Sequence, residues 1–407
     1  MKKLYTRECY LRKVRPFYRS DIIKVITGIR RCGKSCLMAS IIHELQSAGI
    51  PEKDIIYLNL DKRGYINIKT PRQLADAIDS QLHDSDYKFL FIDEIQNVTG
   101  FEQLINSYRE EGNFSIFITG SNSYLLSGEL VTKLTGRYVE IPMFPLTFSE
   151  YLGMKRFHDL EVDSRQDAFQ EYLRDGGFPQ SLELQDREAR QLYLTNVLEQ
   201  ILKKDILGRR KIRSRLAFDK VRTYLINNFG STTNLDGITE YLKNTNNLAI
   251  RKETIRRYVE TLLNAKILNE CKRFDLKSRK SLQGSEKYYL ADTGLYFATN
   301  TDERINYGPV LENILYIYLL SKGYKVSVGR IGKLECDFIA QKDDTYNYIQ
   351  VAMSIADKTT EDREYAPLEA IRDNYPKYVF TLDPLLQRRN GIKHLNLIDF
   401  LAEDKEL

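Results

Sequence analysis

Gly28, Gly33, Lys34 and Ser35 fall in the spacing G-x-x-x-x-G-K-S, read as Gly28-Ile29-Arg30-Arg31-Cys32-Gly33-Lys34-Ser35. Glycines at that interval let the main chain curl until successive N–H groups converge, and such a concavity at a helix start suits phosphate oxygens. The lysine adds a point charge for the outer phosphates, and the serine adds a hydroxyl for Mg2+. Cys36 carries the run into the helix, so residues 28–36 form the candidate nucleotide cradle. A second motif supports it. Lys88-Phe89-Leu90-Phe91-Ile92-Asp93-Glu94 is an apolar strand ending in two acids. Asp93 is placed to hold Mg2+ or its water, and Glu94 to orient and deprotonate an attacking water. The next apolar run ends Thr119-Gly120-Ser121-Asn122. Ser121 and Asn122 are the candidates there for positioning that water.

The elements that must hold these groups alternate. Short apolar runs at 22–26, 55–60, 89–92, 114–119 and 138–141 read as buried strands, with helical patterns at 35–46, 71–81 and 101–110. Alternation of this kind predicts an α/β fold, a parallel sheet wrapped by helices on both faces. Residues 151–215 are helical in pattern and read as a connector or lid after an ATPase-type domain over 1–150. Residues 216–293 read as three helices (218–228, 234–243, 250–264) and two strands (267–274, 287–290) around a basic loop at 277–284, a winged helix-turn-helix order. In the third helix Ile255, Tyr258, Val259 and Leu262 make one apolar stripe. Arg251, Lys252, Arg256 and Arg257 fall largely off it. Residues 294–407 return to α/β, with a helix at 310–321 and strands at 324–328, 335–340 and 346–352. A helix at 365–374, a strand at 378–382 and a short helix at 397–401 complete this part.

Composition narrows the classes. The chain has 407 residues, 42% of them hydrophobic and 29% charged, the balance of a globular protein with more than one core. No apolar run approaches a bilayer span and no secretory grammar opens the chain, so the expectation is a cytoplasmic protein without a membrane. The five cysteines and four histidines show no zinc spacing. Net charge is only +5, but residues 251–280 hold ten Lys/Arg against four Asp/Glu. Residues 203–215 add seven more against one acid. A local field like this suits a polyanion such as double-stranded DNA, while a solvated helix face is the plainer alternative.

The chain resembles the AAA-type ATPases of bacteria and archaea whose C-terminal half is a domain of unknown function. The residues that carry the likeness are GIRRCGKS, FLFIDEIQNV, ITGSNSYLL, LTGRYVEIPMFPLTFSEYL and DGGFP. The resemblance implies ATP and Mg2+ as cofactors and a homo-oligomer. It also implies that Arg137 donates a positive charge to nucleotide, on its own site or a neighbour's. The last unit resembles the PD-(D/E)XK nuclease fold, whose acids would be Glu312 and Asp337. Its third element is Gln350-Val351-Ala352, where a neutral amide and a methyl replace the expected acid and lysine. Cleavage is therefore expected to be lost. The leading expectation is an ATPase coupling hydrolysis to a DNA-contacting module. The alternative is a nucleotide-gated switch or scaffold with slow hydrolysis and a protein partner. A working metal-dependent nuclease is the third and least favoured reading.

Overall fold

The structure, a computed structural model, describes residues 4–407 apart from 85, 122–133, 135, 209–211, 279 and 301–305, and apart from the side chains of 281–283 and 285. The chain divides into two compact units, Met1–Met143 with Asn264–Lys266, and Phe144–Leu263 with Ile267–Leu407.

The first unit is built on β1 (Ile23–Thr27), β2 (Ile55–Asn59), β3 (Lys88–Asp93), β4 (Phe114–Gly120) and β5 (Tyr138–Pro142), in the order β2-β3-β4-β1-β5. Every pairing is parallel. The three inner strands are buried at every residue, because helices cover both faces and leave no polar side. That is why they read as unbroken apolar runs. Edge strand β2 alternates half-buried and buried instead. Ile23, Val25, Leu90, Ile92, Ile116 and Ile118 share a core with Leu74 and Ile78 of the helix Pro71–Asp79 and Phe101 and Ile105 of the helix Phe101–Glu110. Each such side chain contributes about 1.5–3 kcal/mol when fully buried. Thr70 starts the first of these helices with a reciprocal bond to Gln73, and Pro71 occupies the first turn, where no N–H is needed.

One buried residue breaks the pattern. Lys24 of β1 has no exposure at all. Its ammonium donates to Ser115 Oγ at 2.8 Å and to the Ser20 carbonyl at 3.1 Å, and lies 4.5 Å from the Phe117 ring centre. Burial pulls its pKa down to about 7, partly opposed by Asp21.

The second unit carries a mixed sheet of β6 (Thr232–Thr233), β7 (Leu268–Asp275), β8 (Lys280–Leu290), β9 (Lys325–Ile331), β10 (Leu334–Lys342), β11 (Thr345–Val351), β12 (Lys377–Thr381), β13 (Arg388–Arg389) and β14 (Ile392–Asn396). Their order is β13-β14-β12-β11-β10-β9-β7-β8-β6. Helices Arg215–Asn227, Leu235–Asn246 and Lys252–Asn264 precede the β7–β8 hairpin in the expected order. The hairpin differs from expectation. Strand β8 begins at Lys280, paired with Asp275, so five of the eight positions expected as loop at 277–284 belong to the strand. The hairpin is also not the end of a separate domain, because β7 pairs in parallel with β9. The sequence parts expected at 216–293 and 294–407 thus share one sheet. The helix expected at 365–374 lies earlier, at Lys358–Ala370, started by the Asp357 side chain.

The DGGFP segment has a structural task inside this unit. Gly177 N–H donates to Asp292 Oδ2 at 2.6 Å and Gly294 N–H to Asp292 Oδ1 at 2.9 Å. A Cβ on Gly176, whose φ is +72°, would lie 1.7 Å from Asp292 Oδ1. The glycine pair therefore exists so that a buried carboxylate can approach main chain closely. Burial raises the Asp292 carboxyl to about 7, with the two N–H donors pulling the other way.

Candidate functional site

Order β3-β4-β1 sets the carboxyl ends of three inner strands side by side, and the sequence motifs occupy those ends. Strand β1 runs into the loop Gly28–Gly33, which opens the helix Lys34–Ser47. The loop curls through positive φ at Gly28 (+154°), Arg31 (+71°) and Gly33 (+107°). Gly28 is irreplaceable on contact grounds too, since a Cβ there would meet the Met143 carbonyl at 2.2 Å. The Lys34 ammonium donates to the carbonyls of Gly28 at 2.9 Å and Ile29 at 3.1 Å, which centres its charge within the loop. Cys32 is fully buried, donates its thiol to the Met143 carbonyl, and has its pKa pushed up by burial. Arg7 donates to the Cys32 carbonyl at 3.2 Å from outside the loop. Ile29 and Arg30 are buried, Arg30 facing Asp61, whereas Arg31, Ser35 and Cys36 are exposed. Gly33 gives the helix no side-chain cap, so the first-turn amides face the concavity.

Asp93 and Glu94 close β3. Asp93 is wholly buried. Its Oδ1 accepts from Thr119 Oγ at 2.5 Å, and its Oδ2 from Asn59 Nδ2 at 2.8 Å and Tyr57 OH at 3.3 Å. Burial, then the Asp93 charge, push the Tyr57 hydroxyl up to about 12, so it stays a donor. Glu94 sits in the left-handed region (φ +59°). Its N–H donates to the Thr119 hydroxyl at 2.9 Å, and its carboxylate accepts from Gln96 Nε2. Gln96 also reaches Ser121 Oγ at 3.3 Å. Thr119 therefore ties β3 to β4 at both acids. Sequence reasoning stopped at Ser121 and Asn122, although Thr119 and Asn59 both show as polar residues closing apolar strands. Asn122 lies outside the described residues.

The oxygen donors suit a hard cation. Ser35 offers a hydroxyl, and Asp93 Oδ1 keeps a lone pair beyond its bond to Thr119. Among the described residues no group of three or more His, Cys, Asp or Glu side chains is placed to hold a metal ion.

Arg137 is not part of this cluster. It precedes β5, and its carbonyl accepts from Ile23 N–H at the start of β1, the end of the sheet away from the loop. Its guanidinium donates to Asn106 at 3.0 Å and lies 3.7 Å from Glu110. The expected charge on its own site's nucleotide is corrected accordingly, because a five-residue strand separates the two ends.

In the second unit Arg251, Lys252, Arg256 and Arg257 are all exposed on or beside the helix Lys252–Asn264, whose Ile255, Tyr258, Val259 and Leu262 are buried. Lys252 pairs with Asp236, and Arg257 bonds within its own helix. Glu312, Asp337 and Gln350 do come together, lining a cleft of about 550 Å³ with Glu335, Ala352 and Glu364. Lys287 of β8, which sequence reasoning missed, points among these acids. Its signal was a lysine directly before the run Tyr288-Tyr289-Leu290 that ends β8. Burial opposes the Lys287 charge, but Glu312, Asp337 and Glu335 outweigh it and hold the ammonium above its ordinary range. Burial, then the Glu312 charge, push the Asp337 carboxyl well above the usual carboxylate range.

Among the described residues no helix is long and apolar enough to cross a membrane. Residues 20–152 match the family described as AAA domain, and residues 166–304 match a domain of unknown function (DUF8612). The second match runs through the expected connector, the three helices and the hairpin without a break. An uncharacterised protein of Haemophilus influenzae is 36% identical over 408 residues, 99% of this chain and 100% of the relative. An uncharacterised protein of Methanocaldococcus jannaschii is 30% identical over 362 residues, 86% of this chain and 79% of the relative. A Walker-type ATPase of Pyrococcus abyssi has a similar structure, with a TM-score of 0.52 at 17% identity over 72% of this chain and 95% of that one. The shared feature is the α/β fold of P-loop ATPases.

Proposed function

We infer, for a chain that belongs to the AAA-domain family of these bacterial and archaeal proteins, that it binds ATP with Mg2+ and hydrolyses it. The observation that carries this reading is the meeting of the Gly28–Ser35 loop with the Thr119-linked Asp93 and Glu94 at one end of the sheet. Main-chain amides of the loop and first helical turn bind the phosphate tail, and Lys34 places its charge on the outer phosphates. Ser35 and Asp93 would hold Mg2+, which supplies charge neutralisation on the phosphate oxygens. Glu94 orients the attacking water and accepts its proton. Thr119 fixes Glu94 through its N–H, and Asn59 and Tyr57 fix the second oxygen of Asp93. Lys34→Ala is expected to abolish nucleotide binding, read by calorimetry. Glu94→Gln is expected to bind ATP yet lose turnover by ~10²-fold, the usual scale of a general base. Unchanged turnover in that variant would refute the assignment.

The exposed Arg251, Lys252, Arg256 and Arg257 support a nucleic-acid contact, with the helix Lys252–Asn264 facing double-stranded DNA and the β7–β8 hairpin as the wing. Hydrolysis would then drive movement of this module, in the cytoplasm. In a homo-oligomer, Arg137 would reach a neighbour's nucleotide as an arginine finger, after release from Asn106. The C-terminal unit is read as nuclease-like without cleavage. The second reading is a slow nucleotide-gated switch bound to a protein partner. It draws support from Gln96, which already holds the Glu94 carboxylate. Steady-state turnover with and without double-stranded DNA separates the two, because only the coupled motor requires stimulation.

A further inference from the structure

Outside the nucleotide site, several acids converge in one cleft of the second unit. Glu312 comes from the helix Tyr307–Ser321, Glu335 and Asp337 from β10, Gln350 from β11 and Glu364 from the helix Lys358–Ala370. Carboxylates crowded together repel unless a cation joins them. A nuclease-like fold implies a divalent metal there, so each donor needs an account. Glu312 Oε2 accepts from Lys287 Nζ at 3.1 Å and from Tyr289 OH at 2.7 Å. Glu335 takes Lys287 on Oε1 at 3.1 Å and Arg273 on Oε2 at 3.0 Å. Glu364 takes Arg363 on Oε1 and Gln350 Nε2 on Oε2, both at 2.8 Å. The Gln350 carbonyl oxygen, the atom a metal would need, accepts Asp337 N–H at 2.7 Å. Asp337 Oδ2 accepts Val351 N–H at 2.9 Å. Lys287, Arg273 and Arg363 thus match Glu312, Glu335 and Glu364 one for one, and Asp337 alone has no cation of its own. Among the described residues no three of these acids are placed to hold one ion, so they do not fit the metal.

We propose that the Lys287 ammonium is a built-in cation standing in the place of a divalent metal, and that this cleft binds none. The lysine lies on β8, within the β7–β8 hairpin and opposite Cys271. It bridges Glu312 on the helix and Glu335 on β10 with a single charge tethered to the chain. Gln350 completes the arrangement: an amide can accept from Asp337 and donate to Glu364 at once, which a carboxylate cannot. The metal-free cleft is independent of the ATPase reading, and a chain that failed to bind ATP would leave it untouched.

The test is Mn2+ binding by electron paramagnetic resonance on the full chain without nucleotide. Wild type and Asp337→Asn are expected to bind the same number of Mn2+ ions, with the same Mn2+ dependence of Tm. Lys287→Ala is expected to gain one site, about tenfold tighter or more than any wild-type binding there, since a unit charge leaves the acids at contact distance. Lys287→Ala combined with Asp337→Asn is expected to lose that site. A wild-type Mn2+ site that Asp337→Asn removes would overturn the proposal. Mn2+-dependent DNA nicking lost in Asp337→Asn would do the same, as would a folded Lys287→Ala that gains no site. If Lys287→Ala does not fold, the comparison of wild type with Asp337→Asn decides alone.

Discussion

Thr119→Val is the sharpest perturbation of the nucleotide end. Valine matches threonine in shape, so the packing at this fully buried position is kept and only the hydroxyl is lost. That hydroxyl makes two bonds: it donates to the Asp93 carboxylate and accepts from the Glu94 N–H. Removing a hydrogen bond to a charged group costs about 1.5–3 kcal/mol, and leaving a buried N–H unpaired about 1–3 kcal/mol. The two overlap in part, so ~3–4 kcal/mol is expected. Thr119→Ser keeps the hydroxyl and loses one buried methyl, about 1 kcal/mol. Urea unfolding of the two variants at pH 7 reads the difference, and it should be about 2–3 kcal/mol in favour of serine. Turnover adds an independent reading. With its N–H released, Glu94 is no longer held in its left-handed conformation, and the valine variant should lose turnover by ~10-fold or more relative to serine. Variants equal in both stability and turnover would refute the role given to Thr119.

Three other outcomes follow from the same geometry. Lys24 is neutral above pH ~7 in the folded chain but keeps its proton to ~10.5 when unfolded. The unfolded state therefore binds the extra proton in that window, and stability should rise by ~1.4 kcal/mol per pH unit through it. Lys24→Met should flatten this slope and exceed wild type at pH 7, as thermal melts across pH 6–10 would show. Gly176→Ala should cost about 2–4 kcal/mol in chemical denaturation, because its Cβ would collide with the Asp292 carboxylate. If the helix Lys252–Asn264 lies on DNA phosphates, Arg256→Ala and Arg257→Ala should each lower the slope of log K against log salt by about 1. Slopes equal to wild type would place DNA elsewhere.

The legible parts of the sequence were those in which chemistry and local pattern coincide. The inner strands of the first sheet read true because burial on both faces forces continuous apolar runs. The turn from β1 into the next helix was legible because the glycines at 28 and 33 mark the positions where the main chain takes positive φ. Thr119 was harder, since a hydroxyl ending a strand looks like a turn until its two bonds are seen. The Arg137 expectation came from resemblance, and only the strand direction shows which end of the sheet it occupies. The division between 216–293 and 294–407 looked like a domain boundary because the order of predicted helices and strands changes there. A parallel pairing of β7 with β9 links residues more than fifty positions apart, and no local pattern records it. Lys287 escaped for the same reason, as its partners lie on a distant helix and strand.

That parallel pairing bears on how the protein can be divided. A fragment ending after Asp292 would keep the hairpin but lose the neighbour that covers the outer edge of β7. Unsatisfied main-chain groups along that edge would invite other copies to add on, as exposed strand margins do. The same cut would strand a buried lysine without its acids. The basic helices and the terminal sheet are therefore expected to survive proteolysis together or not at all.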